Sequence, residues 1–192
     1  MNTMISKRIC YGLKAKGFIP ENLIEVYIYG FELLVSTIIS AAIILTIGII
    51  LKMTLCSVLF LLTFITIRRF TGGYHANKYI ICQICTVGAF LLVLAASYYV
   101  YLNVYMSLSV IIIGETVIWL FGPIENKHKP MTDREKRKNK LRGLITYPAF
   151  GIFGMFLQIY SPIAGNTVEC TLIIIISWML LPLLGRRLKG NV

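Results

Sequence analysis

The stretch from Arg68 to Cys85 reads RRFTGGYHANKYIICQIC. It is a short basic break containing a glycine pair, and it separates two long apolar segments. The break and the first turns after it hold one of the two histidines and two of the five cysteines in the chain. Ionisable groups at the edge of apolar segments are usually functional, so we expect chemistry at this edge.

The composition is that of a membrane protein. Of the 192 residues, 57% are hydrophobic and only 14% are charged, whereas soluble domains carry about 25% charged residues. The net charge is +11, but the basic residues lie in short clusters between apolar runs, so we expect no nucleic-acid partner. The length suits one compact unit, and a single integral-membrane domain over residues 1–192 is expected.

The N-terminal region, residues 1–26, is predicted to form an amphipathic helix. Ile5, Ile9 and Leu13 recur every four residues, and nearby lysines and an arginine supply positive charge. Such a helix lies in the membrane surface and is attracted to anionic lipid. A solvated basic tail is the open alternative.

The apolar runs predict an all-α, polytopic membrane protein with about six transmembrane segments. The second run has 15 uncharged residues, or about 22 Å of helix, so it either crosses a thinned bilayer or re-enters without crossing. An uncharged run of 36 residues is expected to break near Asn103. The predicted segments are Val26–Leu51, Met53–Ile67, 79–101, 106–122, Gly143–Tyr160 and Cys170–Leu184, with a basic loop over 124–142.

The basic residues also predict the orientation. With six segments and both termini in the cytoplasm, every one of the 19 Lys and Arg residues except Lys52 lies on the cytoplasmic side. The inverted arrangement would reverse that distribution, so the positive-inside rule selects the first. A cell-membrane protein with its polar chemistry at the cytoplasmic side is therefore expected.

His75 and Cys82 are the candidate reactive pair. They are seven residues apart, or about 700° on a helix, so both would share a face. Cys85 lies roughly 80° round the helix from His75 and is the poorer partner. Stacked directly, His75 and Cys82 would be about 10 Å apart, so the histidine has to bend back from a non-helical stretch. The glycine pair before it permits that.

This pairing predicts cysteine-based nucleophilic catalysis. His75 would act as the general base for the Cys82 thiol and would return the proton to a leaving amine. Arg68, Arg69 and Lys78 would add a positive field that favours thiolate.

Other interpretations of the same cysteines remain open. Cys82 and Cys85 form a Cys-x-x-Cys pair, which suits a thiol redox protein or half of a zinc site. Zinc needs two further ligands, of which only His75 is in sight, so we predict no metal and no cofactor. A redox relay would continue through Cys56 and Cys170, although those two and Cys10 are also typical of inert buried thiols.

A small membrane transporter is the other alternative. Glu32 and Glu115 are ionisable residues in or at the end of apolar segments, and such residues often lie on proton or solute paths. The sequence assigns neither of them a role. Substitution of Cys82 separates the hypotheses, because a peptidase would lose activity and a transporter would not.

Two motifs resemble the accessory gene regulator B (AgrB) family of Gram-positive quorum-sensing systems. The first is the pattern Arg68…Gly73-Tyr74-His75…Cys82, and the second is the segment PIENKHKP at 123–130. Chain length, six apolar segments and basic loops agree with that family, so the resemblance covers nearly the whole chain.

The resemblance implies a membrane cysteine endopeptidase, working as a homodimer in contact with membrane lipid. Its substrate would be a small AgrD-like precursor peptide, cut near its C-terminus and closed into a thiolactone or lactone pheromone. Carried over by motif, His75 is the base and Cys82 is the nucleophile. Arg68 and Gly73 match further motif positions and would shape the site.

Basic residues around the break are candidates for binding the precursor. An acidic precursor tail would be docked by Arg69, Lys78, Lys127 and Lys129. A solvated topology anchor explains the same charges equally well.

Overall fold

The chain folds as a bundle of α-helices. The computed structural model describes residues 2–15, 17, 20, 24–72, 79–100, 102–124 and 131–189. Within those ranges it contains seven helices and no strand, in agreement with the all-α prediction. The helices are α1 Asn2–Ala15, α2 Ile24–Ile50, α3 Thr54–Thr71, α4 Tyr79–Tyr99, α5 Val104–Phe121, α6 Asp133–Tyr160 and α7 Pro162–Lys189. Helices α2 to α7 are each long and apolar enough to cross a membrane, as in a multi-pass membrane protein.

Helix α3 is longer than its predicted segment. It continues through Arg68 and Arg69 and ends at Thr71, so the prediction that the arginine pair ends it was wrong. Arginine is a good helix former, and charge alone does not stop a helix. The 18 residues of α3 span about 27 Å, close to the roughly 30 Å of a hydrocarbon core. Helix α3 is therefore long enough to cross a membrane.

The break predicted near Asn103 is confirmed. Asn103 is the N-cap of α5, and its side-chain oxygen accepts a hydrogen bond of 2.9 Å from the backbone N–H of Met106. A capping asparagine satisfies one of the unpaired N–H groups of the first turn, which defines where a new helix begins.

Helix α6 begins ten residues earlier than predicted, so much of the expected basic loop is helical. Its start is a capping box, in which Thr132 Oγ1 accepts from the backbone N–H of Glu135 and a Glu135 oxygen accepts from the backbone N–H of Thr132. Asp133 and Glu135 also place negative charge in the first turn, which favours the helix N-terminus. The sequence Thr-x-x-Glu carried this signal.

Helix α7 also begins earlier than predicted, at Pro162 rather than at Cys170. Its first turns contain polar residues that lower the hydropathy, but several of those residues are satisfied inside the bundle. Asn166 donates to the carbonyl oxygens of Val100 (2.9 Å) and Ser97 (3.4 Å) and accepts from Gln158 (3.1 Å). The polar stretch is therefore part of a buried helix.

Helix α7 is the centre of the bundle and packs against α3, α4, α5 and α6. In its candidate spanning window 67% of the residues are buried, against 22% in α2. Large side chains fill the space around it, and the largest that are almost fully buried are Tyr147, Phe60, Phe90, Ile44 and Ile67.

The N-terminal helix α1 packs against α2. Cys10 is fully buried, whereas Ile9, on the predicted apolar face, is 40% exposed. Burial raises the pKa of the Cys10 thiol from its ordinary value, and the carboxylate of Glu32 raises it further. The cysteine side of α1 thus faces the bundle, and Ile9 remains at the surface.

Candidate active site

Gly72 fixes the way the chain leaves α3. Its backbone has φ 71°, and its N–H donates to the carbonyl oxygen of Arg68 at 3.1 Å. One residue earlier, the Thr71 carbonyl oxygen accepts from the N–H of Ile124 at 2.9 Å. A Cβ on Gly72 would overlap the Ile124 carbonyl oxygen. Only glycine suits both the left-handed φ and this close approach.

Next to Gly72 lies a cavity of about 370 Å³, within the size range of ligand sites. Four helices, α2, α3, α4 and α6, and the α5–α6 connection form its walls. The apolar wall comes from α2, α3 and the connection, through Leu33, Leu61, Phe64, Ile65, Ile124 and Met131. The lining also includes Arg68, Arg69 and Gly72 at the end of α3, and Cys82 and Thr86 of α4.

The two neighbouring cysteines of α4 differ in position. Cys82 is half-buried and lines the cavity, while Cys85, also half-buried, does not belong to its wall. The Cys82 carbonyl oxygen accepts from the Thr86 hydroxyl at 2.8 Å. Three residues turn a helix about 300°, so the two side chains lie roughly 60° apart and are neighbours on the helix surface. Of the two, Cys82 is the one that lines the cavity.

The two arginines of the α3 end have different surroundings. The Arg68 guanidinium carbon lies 5.1 Å from the ring centroid of Phe64 and 4.7 Å from that of Trp178. Arg69 is exposed and lines the same cavity. Arg68 is therefore held against aromatic faces, and Arg69 is accessible to solvent and to a ligand.

Several polar residues of the cavity were not predicted from the sequence. Ser36 and Ser40 of α2 are buried and line the wall with Thr37. Asn139 of α6 lines it too, and its amide nitrogen donates to the Met131 sulfur at 3.4 Å. The serines, one helical turn apart, had a weak periodic signal. Asn139 had none, because the segment that contains it was interpreted as a loop.

The remaining predicted site residues lie outside the described residues. These are Gly73, His75, Lys78, Lys127 and Lys129. Gly72, the last described residue before His75, lines the cavity, and so does Cys82, three residues after Tyr79. The pairing of His75 with Cys82 stays a prediction.

Three glutamates lie inside the bundle. Glu32 is buried, as the sequence interpretation allowed, and Glu115 is half-buried. Glu169 is fully buried, and neither of its oxygens has a hydrogen-bond partner in the described part of the chain. Glu169 was missed because α7 was predicted to start one residue after it.

The fold and the cavity together define a class: a helical, multi-pass membrane protein with a cysteine in an apolar cavity beside two arginines. The family model described as "Accessory gene regulator B" matches residues 6–184. The chain belongs to this family, AgrB, as its motifs indicated.

Individual relatives are distant. The chain is 23% identical over 142 residues to "Putative AgrB-like protein 2" of Clostridium perfringens strain 13, covering 70% of this chain and 66% of the relative. It is 25% identical over 129 residues to "Accessory gene regulator protein B" of Staphylococcus saprophyticus, covering 67% and 68%. The matches thus span about two thirds of these relatives. No solved structure matches the chain.

Proposed function

We propose that the chain is a membrane cysteine endopeptidase of the AgrB type. It would cut the C-terminal part from a small AgrD-like precursor peptide and promote closure of the remainder into a thiolactone or lactone pheromone. One observation carries the proposal: Cys82, and not Cys85, lines the cavity that also contains Arg68 and Arg69. A nucleophile that shares a largely apolar cavity with cationic side chains is a recognisable catalytic arrangement.

The proposed first step is acyl transfer to Cys82. The Sγ atom attacks the scissile carbonyl carbon while His75 takes the thiol proton. The C–N bond then breaks, His75 gives the proton to the leaving amine, and the precursor tail departs. The product is a thioester between Cys82 and the remaining peptide.

Ring closure follows by exchange. A thiol or hydroxyl within the peptide attacks the thioester carbonyl, the bond to Cys82 breaks, and the cysteine sulfur recovers a proton. With a thiol, one thioester replaces another, so this step is close to neutral in free energy. The apolar lining residues Leu61, Phe64 and Ile65 support this order of reaction steps. By excluding water they would protect the thioester from hydrolysis.

The precursor is expected to dock through its acidic tail. Besides Arg69, the described start of α6 presents exposed Arg134, Arg137 and Lys138. We propose that these side chains, together with Lys78, Lys127 and Lys129, attract the tail from the cytoplasmic side. Contact with lipid through α1 and assembly as a homodimer complete the proposal.

The test is co-expression with an AgrD-like precursor, with loss of its C-terminal tail followed by mass spectrometry. The variants are Cys82→Ser, His75→Ala and, as the matched control, Cys85→Ser. We expect the first two to abolish cleavage and the third to retain it. Cleavage that persists in Cys82→Ser would exclude this site and favour the thiol redox or transport alternatives. Equal loss of cleavage in Cys85→Ser would mean that Cys82 and Cys85 act together as a pair.

A further inference from the structure

Arg68 lies against two aromatic rings that come from different helices. Phe64 lies one turn before Arg68 on α3, and Trp178 belongs to α7. The rings are 5.4 Å apart in an edge-to-face arrangement with an interplanar angle of 79°. Both centroids are within the roughly 6 Å at which a guanidinium is attracted by the face of a ring.

This contact contributes to where the charge of Arg68 lies. A long basic side chain near the end of a membrane helix normally extends its head towards water or lipid headgroups. Attraction to two rings opposes that extension. Arg68 and Phe64 both line the cavity, so the rings keep a permanent positive charge at its wall.

Trp178 connects α7 to this wall. None of the described cavity-lining residues comes from α7. Trp178 nevertheless contacts Phe64 and Arg68, which do line the cavity. Its effect on the cavity is therefore exerted through those two side chains.

We propose that Trp178 is a positioning residue that holds the Arg68 guanidinium where negative charge develops during acylation of Cys82. This inference rests on the proposed function. As the Sγ–C bond forms, the π electrons of the carbonyl move to its oxygen, and the resulting oxyanion faces the cation at the cavity wall. In an apolar cavity a pre-positioned charge stabilises such an oxyanion strongly. The oxyanion then collapses, and the leaving group takes its electron pair.

The test uses an activated ester with an apolar acyl chain, p-nitrophenyl hexanoate, on the purified full-length protein. Release of p-nitrophenolate measures acylation, and Cys82→Ser gives the background from the other four cysteines. Alkylation of Cys82 by iodoacetamide is measured in parallel by mass spectrometry. Alkylation attacks a saturated carbon, so it forms no oxyanion.

We expect Trp178→Leu to slow the Cys82-dependent acylation about fivefold or more. Both rates are expressed per thiolate from their pH profiles, so that a change in the thiolate fraction cancels. On that scale the alkylation rate should stay within about twofold of that of the unmodified protein, because no oxyanion is involved. Trp178→Phe keeps a ring and should restore most of the acylation rate. The matched control is Trp119→Leu, which removes the other tryptophan. Trp119 lies on α5 near Lys140 of α6, so its loss should leave both rates unchanged.

A second set of variants covers failure of Trp178→Leu to fold. In a Trp119→Phe background Trp178 is the sole tryptophan, and it can be replaced biosynthetically by mono-, di- and trifluorotryptophan. Fluorine weakens the cation–π attraction with little change in shape, so acylation should fall stepwise.

Two results would overturn the inference: an acylation rate that does not respond to fluorination, or acylation and alkylation that fall together. Loss of the Cys82-dependent signal in the unmodified protein would instead contradict the proposed nucleophile. The two failures are thus distinguishable.

Discussion

At the scale of single residues, Gly72 shows how one backbone conformation supports the candidate site. Its positive φ turns the chain away from α3, and its lack of a side chain lets the Ile124 backbone approach. Both residues line the cavity. The shape of this wall therefore depends on a position that only glycine fills without strain.

We predict that Gly72→Ala lowers the free energy of unfolding by about 2–3 kcal/mol, since the left-handed φ and the overlap with the Ile124 carbonyl both oppose a Cβ. Precursor cleavage should fall at least about tenfold as the cavity wall shifts. The control is Gly88→Ala in α4, where nothing lies within 4 Å of the added Cβ. That change should be neutral or stabilising by up to about 1 kcal/mol. Similar thermal shifts for the two variants would contradict the assignment.

The Cys10 thiol predicts a pH effect on stability. Its pKa in the folded protein is raised above the ordinary value of 9.0, first by burial and then by Glu32. The folded state then holds the proton at pH values where the unfolded chain has lost it. This contribution to stability is complete below about pH 9 and is lost as the pH rises towards the folded-state pKa.

The measurement is unfolding of the detergent-solubilised protein between about pH 7.5 and 10.5, a range that brackets the ordinary thiol pKa. As the pH rises, the free energy of unfolding should fall more steeply for the unmodified protein than for Cys10→Ala. Comparing the two proteins cancels the effects of the other titrating groups, which both share. Parallel pH slopes would show that Cys10 does not contribute.

At the scale of elements, the apolar segments could be predicted from the sequence and several helix ends could not. The apolar runs of α2 and α4 are recognisable from their hydropathy. Asn103 could be predicted as a boundary because its cap bonds to a residue three positions along the chain. The start of α7 is different. Asn166 looks like a loop residue until Val100, Ser97 and Gln158 are brought to it by the fold.

The candidate site divides in the same way. Helical phase relative to His75 favoured Cys82 over Cys85. Cys82 lines the cavity and Cys85 does not, and the role of Cys82 as the nucleophile stays a prediction. Asn139 and Trp178 are far from Cys82 in the sequence, and no local pattern connects them to it. Such long-range neighbours follow only from the packing of α6 and α7 against α3.

The capping box of α6 leads to a prediction about the stability of the first turns of that helix. Thr132→Ala removes the acceptor for the Glu135 N–H and should cost the first turns about 1 kcal/mol. Amide hydrogen exchange over residues 133–138 should then speed up about fivefold. If the basic start of α6 docks the precursor tail, KM for the precursor rises while kcat changes little.

Asp133→Asn is the matched control. It changes a charge in the same turn but leaves the hydrogen bonds of the box in place, so its effect should stay at a few tenths of a kcal/mol. Exchange rates that do not separate Thr132→Ala from Asp133→Asn would mean that α6 is held by packing instead of by its cap.

At the scale of the whole molecule, a polar cluster at the end of the bundle opposite Gly72 ties four helices together. Asn166 of α7 contacts carbonyls at the end of α4 and the amide of Gln158 on α6, and Gln158 also donates to Ser107 of α5 at 3.4 Å. Such bonds link helices that apolar packing alone would allow to slide, because lipid competes with apolar contacts and does not compete for hydrogen bonds.

Asn166→Leu should therefore lower the free energy of unfolding by more than the loss of one hydrogen bond would. Interhelical hydrogen bonds in membrane proteins contribute about 0.6–1.7 kcal/mol each, and here the partners would also remain buried without a replacement, so we expect a loss of about 2–4 kcal/mol. Unfolding in mixed micelles measures it. Ser109→Ala is the control, because that exposed hydroxyl donates within its own helix, to the Tyr105 carbonyl oxygen. It should cost under about 0.5 kcal/mol. If both variants unfold alike, the cluster does not hold the helices, and their arrangement follows from apolar packing around α7.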